Sequence, residues 1–177
     1  FDAYPRDFER DREIALSKGV DYIFYPSVEE MYPKTISVKA LVQQRTNVLC
    51  GESRPGHFDG VATVLTKLFN IISPDRVYFG LKDAQQVAVV EGLITDFNFP
   101  IELIPVDTVR EDDGLAKSSR NVNLSAEERL EAPVLYESLQ YAKRLVEEGE
   151  KNRDLILSDM KKLIEEKSSG SIDYIEI

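Results

Sequence analysis

An α/β fold with a parallel sheet is what the sequence predicts, and three observations predict it. Val77-Tyr78-Phe79 and residues 101–106 are two short apolar runs. Between them, residues 85–97 repeat apolar side chains at helical spacing, with Val90, Leu93, Ile94 and Phe97 on one face. Ahead of both, residues 60–72 place Val61, Val64, Leu65, Leu68, Phe69 and Ile72 on a second helical stripe. Strand, helix, strand at this spacing is the unit of a parallel sheet, because a parallel neighbour needs a crossover of about a dozen residues.

The other elements follow in chain order. After Tyr4-Pro5 the chain reads as a helix to about Ser17, stopped by Lys18-Gly19. Residues 20–25 are apolar and end at Pro26, which predicts a short buried strand. Residues 27–31 predict a helical turn closed by Tyr32-Pro33. Ile36, Val38 and Ala40 alternate with polar residues, as in a half-exposed strand. Ser73-Pro74-Asp75 turns the chain into the strand that ends at Gly80. Ser125-Ala126-Glu127-Glu128 is a capping box. It predicts a helix with Leu135, Leu139, Ala142, Leu145 and Val146 turned inward and a stop at Gly149. A further helix carries Ile156, Met160, Leu163 and Ile164. Ser168-Ser169-Gly170 is a loop, and residues 172–177 predict a strand that needs partners. A domain change is expected near residues 121–125, giving one domain over 1–121 and a second over 122–177.

Composition narrows the function. The chain is 42% hydrophobic and 31% charged with a net charge of −10, ordinary for a soluble globular protein. From Ser125 onward 13 acidic residues face 8 basic ones, so half of the excess lies there and neither half is basic. A nucleic-acid surface is therefore not expected. No apolar run approaches the ~20 residues of a membrane helix. The opening residues are polar and helix-like rather than leader-like. The lone Cys50 excludes an intramolecular disulfide and fits a reducing, cytoplasmic setting; it reads as a packed or half-exposed residue.

Three segments carry chemistry. Phe79-Gly80-Leu81-Lys82-Asp83 stands at the carboxyl end of a predicted parallel strand, where ligands of open α/β sheets bind. Gly80 permits close approach, Lys82 offers a charge to phosphate, and Asp83 can accept from ribose hydroxyls; the plainer reading is a turn with solvated charges. Asp113-Gly114-Leu115-Ala116-Lys117-Ser118-Ser119-Arg120-Asn121 offers two hydroxyls and an arginine to a polyphosphate, or is a polar linker. Ser53-Arg54-Pro55-Gly56-His57-Phe58-Asp59-Gly60 leads into a helix start, where anions bind. His57 is the only histidine, so no metal cage is expected around it. Gln85-Gln86 suits a hydroxy acid or simply faces solvent. Glu29-Glu30 and Glu147-Glu148 read as solvated faces.

Together these segments resemble the pantothenate synthetase (pantoate–β-alanine ligase) family. The matching stretches are Tyr4-Pro5-Arg6, Pro26-Ser27-Val28-Glu29-Glu30-Met31-Tyr32-Pro33, Arg54-Pro55-Gly56-His57-Phe58, Lys67-Leu68-Phe69-Asn70, Phe79-Gly80-Leu81-Lys82-Asp83-Ala84-Gln85-Gln86 and residues 109–121. The resemblance covers the whole chain. It implies a Rossmann-like domain of the adenylylating nucleotidyltransferase type, incomplete here, and part of a smaller α+β carboxy-terminal domain. It also implies ATP with magnesium, pantoate and β-alanine as substrates, a pantoyl adenylate intermediate, and a homodimer. Residue by residue, Gly80 and Asp83 would lie on the ribose, Lys82 would reach the phosphates and Gln86 would hold pantoate. Val109 would meet adenine through its backbone. Lys117, Ser118, Ser119 and Arg120 would clamp the triphosphate like a KMSKS loop. Arg54 and His57 would stand near the reaction centre.

The family's His-x-Gly-His motif, the first strand, the helix that follows and a pantoate-binding glutamine have no counterpart here. The carboxy-terminal domain of the resemblance stops after its first strand. The expectation is a part of such an enzyme, inactive alone, with an open sheet edge that favours association. Another adenylylating nucleotidyltransferase, or a non-catalytic assembly module on the same fold, are the alternative readings.

Overall fold

The structure is a computed structural model and describes residues 5–177. The readings made on residues 1–4, including Tyr4 of the first matching stretch, lie outside the described residues. The chain forms two compact units, one ending at Lys39 and one running from Ala40 to Ile177.

In the first unit, α1 (Phe8–Ser17) begins where the Asp7 side chain accepts from the Arg10 N–H at 3.1 Å. That bond satisfies one of the orphan donors of a first helical turn. α2 (Val28–Met31) starts in a capping box made by Ser27 and Glu30. Phe8 stacks on Tyr25 with ring centroids 4.2 Å apart. The predicted buried strand at residues 20–25 is not found: the segment is irregular, and Tyr22 is 92% exposed. The predicted strand over residues 36–40 is also irregular, and Val38 is 83% exposed. Alternation and apolarity create only the possibility of a strand; the ladder needs a partner, and neither segment has one among the described residues.

The second unit contains the predicted strand–helix–strand. A short turn, α3 (Cys50–Ser53), precedes its first long helix, α4 (His57–Ile72). Ala40 and Val42 tie the start of the unit to α4 through side chains: their N–H groups donate to Thr63 Oγ1 at 3.1 Å and Asp59 Oδ1 at 2.9 Å. β1 (Arg76–Gly80) and β2 (Glu102–Val106) pair in parallel, Arg76 opposite Glu102 and Gly80 opposite Val106. Arg76 Nε meets Glu102 Oε2 at 2.7 Å across that register. α5 (Ala84–Asp96) is the crossover. Ala62 and Phe69 of α4 and Val90, Leu93 and Ile94 of α5 form the core, with Val77, Phe79 and Leu103 of the strands packed against it. Each large buried side chain contributes about 1.5–3 kcal/mol, so this cluster holds the end of β1 in place. Phe97, predicted on the inner face, is instead the cap of α5 and 59% exposed.

Beyond β2, a 3₁₀ turn (Ser119–Asn123) leads to α6 (Ala126–Glu131), α7 (Val134–Glu147) and α8 (Arg153–Lys167). The capping box at Ser125 and Glu128 is formed as predicted. The single helix expected after it is divided at Ala132-Pro133, because Pro133 cannot donate within a helix. The break rotates the inner face onto Val134 and Ser138, and leaves Leu135, Leu139 and Val146 exposed. α7 packs on α8, whose Ile156, Met160 and Ile164 are buried as predicted. Residues 172–177 form no strand; no partner strand lies beside them among the described residues.

Candidate functional site

Three segments converge at the carboxyl end of β1. The first is Gly80 and the 3₁₀ turn Leu81–Asp83 that links β1 to α5. Lys82 Nζ stands 3.5 Å from Asp83 Oδ1, an exposed pair that solvent screens. No atom lies within 4 Å of the position a Cβ on Gly80 would take, so the space above the strand end is open to a ligand.

The second segment is the turn into α4. Gly56 adopts φ +75° as the N-cap, and His57 opens the helix. Arg54 Nη2 lies 3.1 Å from His57 Nδ1. A guanidinium can only donate, so Nδ1 accepts and the imidazole carries its proton on Nε2. Burial holds the His57 pKa below its ordinary value, followed by the charges of Arg54 and Arg120, with Asp83 opposing. Both effects favour the neutral imidazole. Its electrostatic neighbours come from all three segments. A cavity of about 280 Å³ adjoins this turn, lined in part by Thr46, Asn47, Glu52, Arg54, Phe58 and Asp59.

The third segment is the loop after β2. It doubles back on itself through an antiparallel bridge between Arg110 and Ala116. The Glu111 N–H donates to the Leu115 carbonyl at 2.8 Å, and the Lys117 N–H to the Val109 carbonyl at 2.9 Å. Lys117 Nζ reaches Glu111 Oε2 at 3.5 Å. Ser118 Oγ accepts from the Arg120 N–H at 3.3 Å and so caps the 3₁₀ turn that contains Ser119 and Arg120. Asn121 Nδ2 donates to the Ala116 carbonyl at 3.0 Å. The Val109 side chain is exposed.

The structure thus brings Asp83, Arg54, His57 and Arg120 within electrostatic reach of one another, with Lys82 beside Asp83. Gln86 is half-buried in the first turn of α5. Five cations, Arg54, Lys82, Arg110, Lys117 and Arg120, sit on these three segments of an acidic chain. Lys82 and Lys117 each pair with a carboxylate, Asp83 and Glu111, at 3.5 Å. Among the described residues no group of three or more His, Cys, Asp or Glu is gathered for a metal ion.

Several participants had no distinctive sequence signal. Gln85 donates to the carbonyls of Arg45 and Val48 and accepts from Cys50. Arg110 lies over the Tyr136 ring at 4.1 Å. Ser53 Oγ donates to Asp173 Oδ2 at 2.9 Å, which brings the carboxy-terminal segment against the turn before Arg54. The Tyr174 hydroxyl has its pKa raised by burial and then by Cys50. Each contact joins residues far apart in the chain.

Comparison with known proteins gives a consistent set of relatives. The family profile described as "Pantoate-beta-alanine ligase" matches residues 1–177. A pantothenate synthetase from Geobacillus sp. (strain WCH70) is 63% identical over 177 residues, covering all of this chain and 63% of the relative. One from Bacillus mycoides (strain KBAB4) is 60% identical over 176 residues, covering 99% of this chain and 62% of the relative. A crystal structure of pantothenate synthetase from Thermus thermophilus superposes with a TM-score of 0.92 at 44% identity, over 97% of this chain and 62% of that one. The Francisella tularensis pantoate-beta-alanine ligase, complexed with beta-gamma ATP and beta-alanine, gives 0.76 at 33% identity, over 90% of this chain and 59% of that one. The chain spans about three fifths of the length of the curated relatives it matches.

Proposed function

The chain belongs to the pantoate–β-alanine ligase family, and from that premise we propose that the protein uses ATP to condense pantoate with β-alanine through a pantoyl adenylate. The observation that carries the reading is the convergence at the end of β1: Lys82 and Asp83, His57 with Arg54, and the loop bearing Arg120.

The chemistry asks little covalent help from the protein. A pantoate carboxylate oxygen attacks the α-phosphorus, the bond to the bridging oxygen breaks, and pyrophosphate leaves. The β-alanine amine then attacks the acyl carbon, loses a proton and expels AMP. Negative charge grows on the α-phosphate and on the departing pyrophosphate. Lys82 and Arg120 would meet that charge, with the hydroxyls of Ser118 and Ser119 as donors and Lys117 beside them. Fixed donors of this kind favour the transition state over the ground state. Asp83 and Gly80 would receive the ribose and the Val109 backbone the adenine. Gln86 would hold pantoate near the α-phosphorus, supplying the entropic part of the rate. His57, with Nδ1 engaged by Arg54, presents its Nε2–H as a fixed donor. Magnesium would accompany the triphosphate and screen its charge.

The same reading puts a change of domain at residues 121/122. A strand–helix–strand unit with its loop lies before that point, and the α7–α8 helix pair with its own buried face lies after it. It also makes the protein a homodimer of the cytoplasm. No described helix is long and apolar enough to cross a membrane.

The test is pantoate-dependent exchange of labelled pyrophosphate into ATP, followed by AMP release that requires β-alanine. Exchange that ignores pantoate, or that follows another acid better, would replace this reading by that of another adenylylating enzyme.

A further inference from the structure

Gln85 lies on the strand-to-helix turn between Asp83 and Gln86, yet its side chain is turned away from the open end of the strand. Its Nε2 donates to the Arg45 carbonyl at 2.9 Å and to the Val48 carbonyl at 2.8 Å. Its Oε1 accepts from the Cys50 thiol at 3.0 Å. The amide can sit only one way round, because backbone carbonyls accept and the thiol is the available donor. One side chain thus satisfies three groups of a segment 35 to 40 residues away in sequence. The segment needs such a clamp. It has no regular structure between Ala40 and Leu49, and Arg45 and Leu49 both adopt left-handed backbone angles, φ +67° and +52°. Non-glycine residues hold that conformation only when their surroundings over-determine it. Arg45 adds a second tie, its Nη1 lying 3.2 Å from Glu91 Oε2 on α5. The clamped segment runs directly into Arg54 and His57.

We infer that Gln85 is a positioning residue, which fixes the 45–50 segment on the first turn of α5 and so sets Arg54 and His57 against Lys82, Asp83 and Gln86. The inference rests on the ligase reading for what those residues bind, but not for the clamp itself. Gln85 need touch no substrate. Replacing its amide by a group that cannot donate strips the Arg45 carbonyl of its partner and leaves the Val48 carbonyl only the Gly51 N–H, and the segment loses its register.

The experiment compares the chain with Gln85→Leu, Gln85→Glu and Cys50→Ala. Cys50 is the only cysteine and His57 the only histidine, so each reports without ambiguity. Iodoacetamide should alkylate Cys50 at least tenfold faster in Gln85→Leu. The His57 imidazole resonance should titrate closer to its ordinary value there. Gln85→Glu keeps the thiol acceptor but turns a carboxylate oxygen toward the two carbonyls, and should behave like Gln85→Leu. In pantoate-dependent pyrophosphate exchange by a full-length family enzyme carrying this segment, both Gln85 variants should lose about tenfold in maximal rate with the KM for ATP held within twofold. Cys50→Ala, which leaves both carbonyl bonds intact, should stay within twofold of the parent in both. A generally loosened fold would instead raise the KM for ATP together with the loss of rate. Unchanged alkylation and His57 titration in Gln85→Leu would overturn the clamp. Exchange unchanged in that variant would overturn the positioning role. This chain, about three fifths of its relatives' length, is expected to show no exchange alone, so Cys50 and His57 decide the clamp in it. A full-length family enzyme carrying this segment that showed no pantoate-dependent exchange would count against the ligase reading.

Discussion

The turn over residues 45–56 and the loop over residues 107–121 both carry candidate site residues, and both are largely irregular, yet they are held by different kinds of force. The first is fixed by hydrogen bonds to its backbone, chiefly from Gln85, and opens α4 at Gly56 where nothing crowds the backbone. The second is fixed by packing and charge. Leu115 is buried, Asp113 Oδ2 meets Arg129 Nη1 at 2.6 Å, Arg110 Nη1 donates to the Gly114 carbonyl at 3.1 Å, and the Tyr136 ring closes over Gly114. The first turn is thus anchored inside the α/β unit, and the second is anchored on the helices that follow it. A loop held by hydrogen bonds does not tolerate the loss of a donor; added volume fits at Gly56 but not at Gly51, where a Cβ would stand 2.3 Å from the Thr46 carbonyl oxygen. A loop held by packing does not tolerate added volume.

The largest effect that would break this comparison is at Gly114. Its φ is +92°, and a Cβ there would stand 2.2 Å from Tyr136 Cδ1, an atom of a ring and not the tip of a flexible chain. Gly114→Ala combines left-handed backbone strain with overpacking and should cost about 2–4 kcal/mol, read from the urea unfolding midpoint. Tyr136→Ala in the same chain should recover the steric part. Gly114→Ala at parental stability would mean that Tyr136 does not fix this loop.

Lys82 separates function from either form of support. It lies on the strand end between the two loops and pairs with its exposed neighbour Asp83. In a full-length family enzyme carrying this segment, Lys82→Ala should lower the adenylation rate roughly 10²-fold, about 2.7 kcal/mol of transition-state stabilisation. The unfolding midpoint should hardly move, because exposed pairs contribute little. An unchanged rate would remove Lys82 from the mechanism.

The next effect is the counterpart of the first. Gly56 has φ +75°, left-handed like Gly114, but no atom lies within 4 Å of where its Cβ would stand. Gly56→Ala should therefore cost only the backbone term, about 1 kcal/mol. A cost equal to that of Gly114→Ala would show that conformation and not packing governs both positions.

What could be foreseen divides along the same line. α4, α5, β1, β2 and the capping box at Ser125 were legible, because helical stripes and caps are written within a few residues of one another. Gly80, Lys82 and Asp83 were legible as a candidate site because ligands bind beyond the carboxyl ends of parallel strands. The strands expected at 20–25, 36–40 and 172–177 were not found, because alternation says nothing about a partner. The inner face of α7 was misplaced onto Leu135, Leu139 and Val146 by reading through Pro133. Gln85, with Gln86, reads as a contact for a hydroxy acid or as facing solvent, not as a clamp on a distant backbone. Its acceptors, the carbonyls of Arg45 and Val48, are backbone groups that every residue carries, so no side-chain pattern marks them.

The smallest effect concerns acid. The hydrogen bond from Arg129, and then that from the Leu115 N–H, hold the Asp113 pKa below its ordinary value. For a carboxylate depressed on folding, the contribution to stability is complete above the unfolded pKa, about 3.9. It is lost as pH falls through the lower folded value, because the unfolded chain then binds the extra proton. The loop over 107–121 should therefore loosen in acid. Arg129 also feels the charge of Glu111, so neutralising that carboxylate acts in the same direction. The bonds from Gln85 to the 45–50 carbonyls involve no titrating group and should persist over the same range. Amide exchange compared between pH 6 and pH 3, after correction for intrinsic rates, should show protection falling at Leu115 and Lys117 while Gly51 and Glu52, whose N–H groups donate to the Val48 and Leu49 carbonyls, keep theirs. Asp113→Asn retains an acceptor for the Leu115 N–H but gives up the charge on Arg129, so it should remove most of the acid dependence at Leu115. Equal acid loosening of both segments would mean that they open together, and the division between a hydrogen-bonded turn and a packed, charge-tied loop would fall.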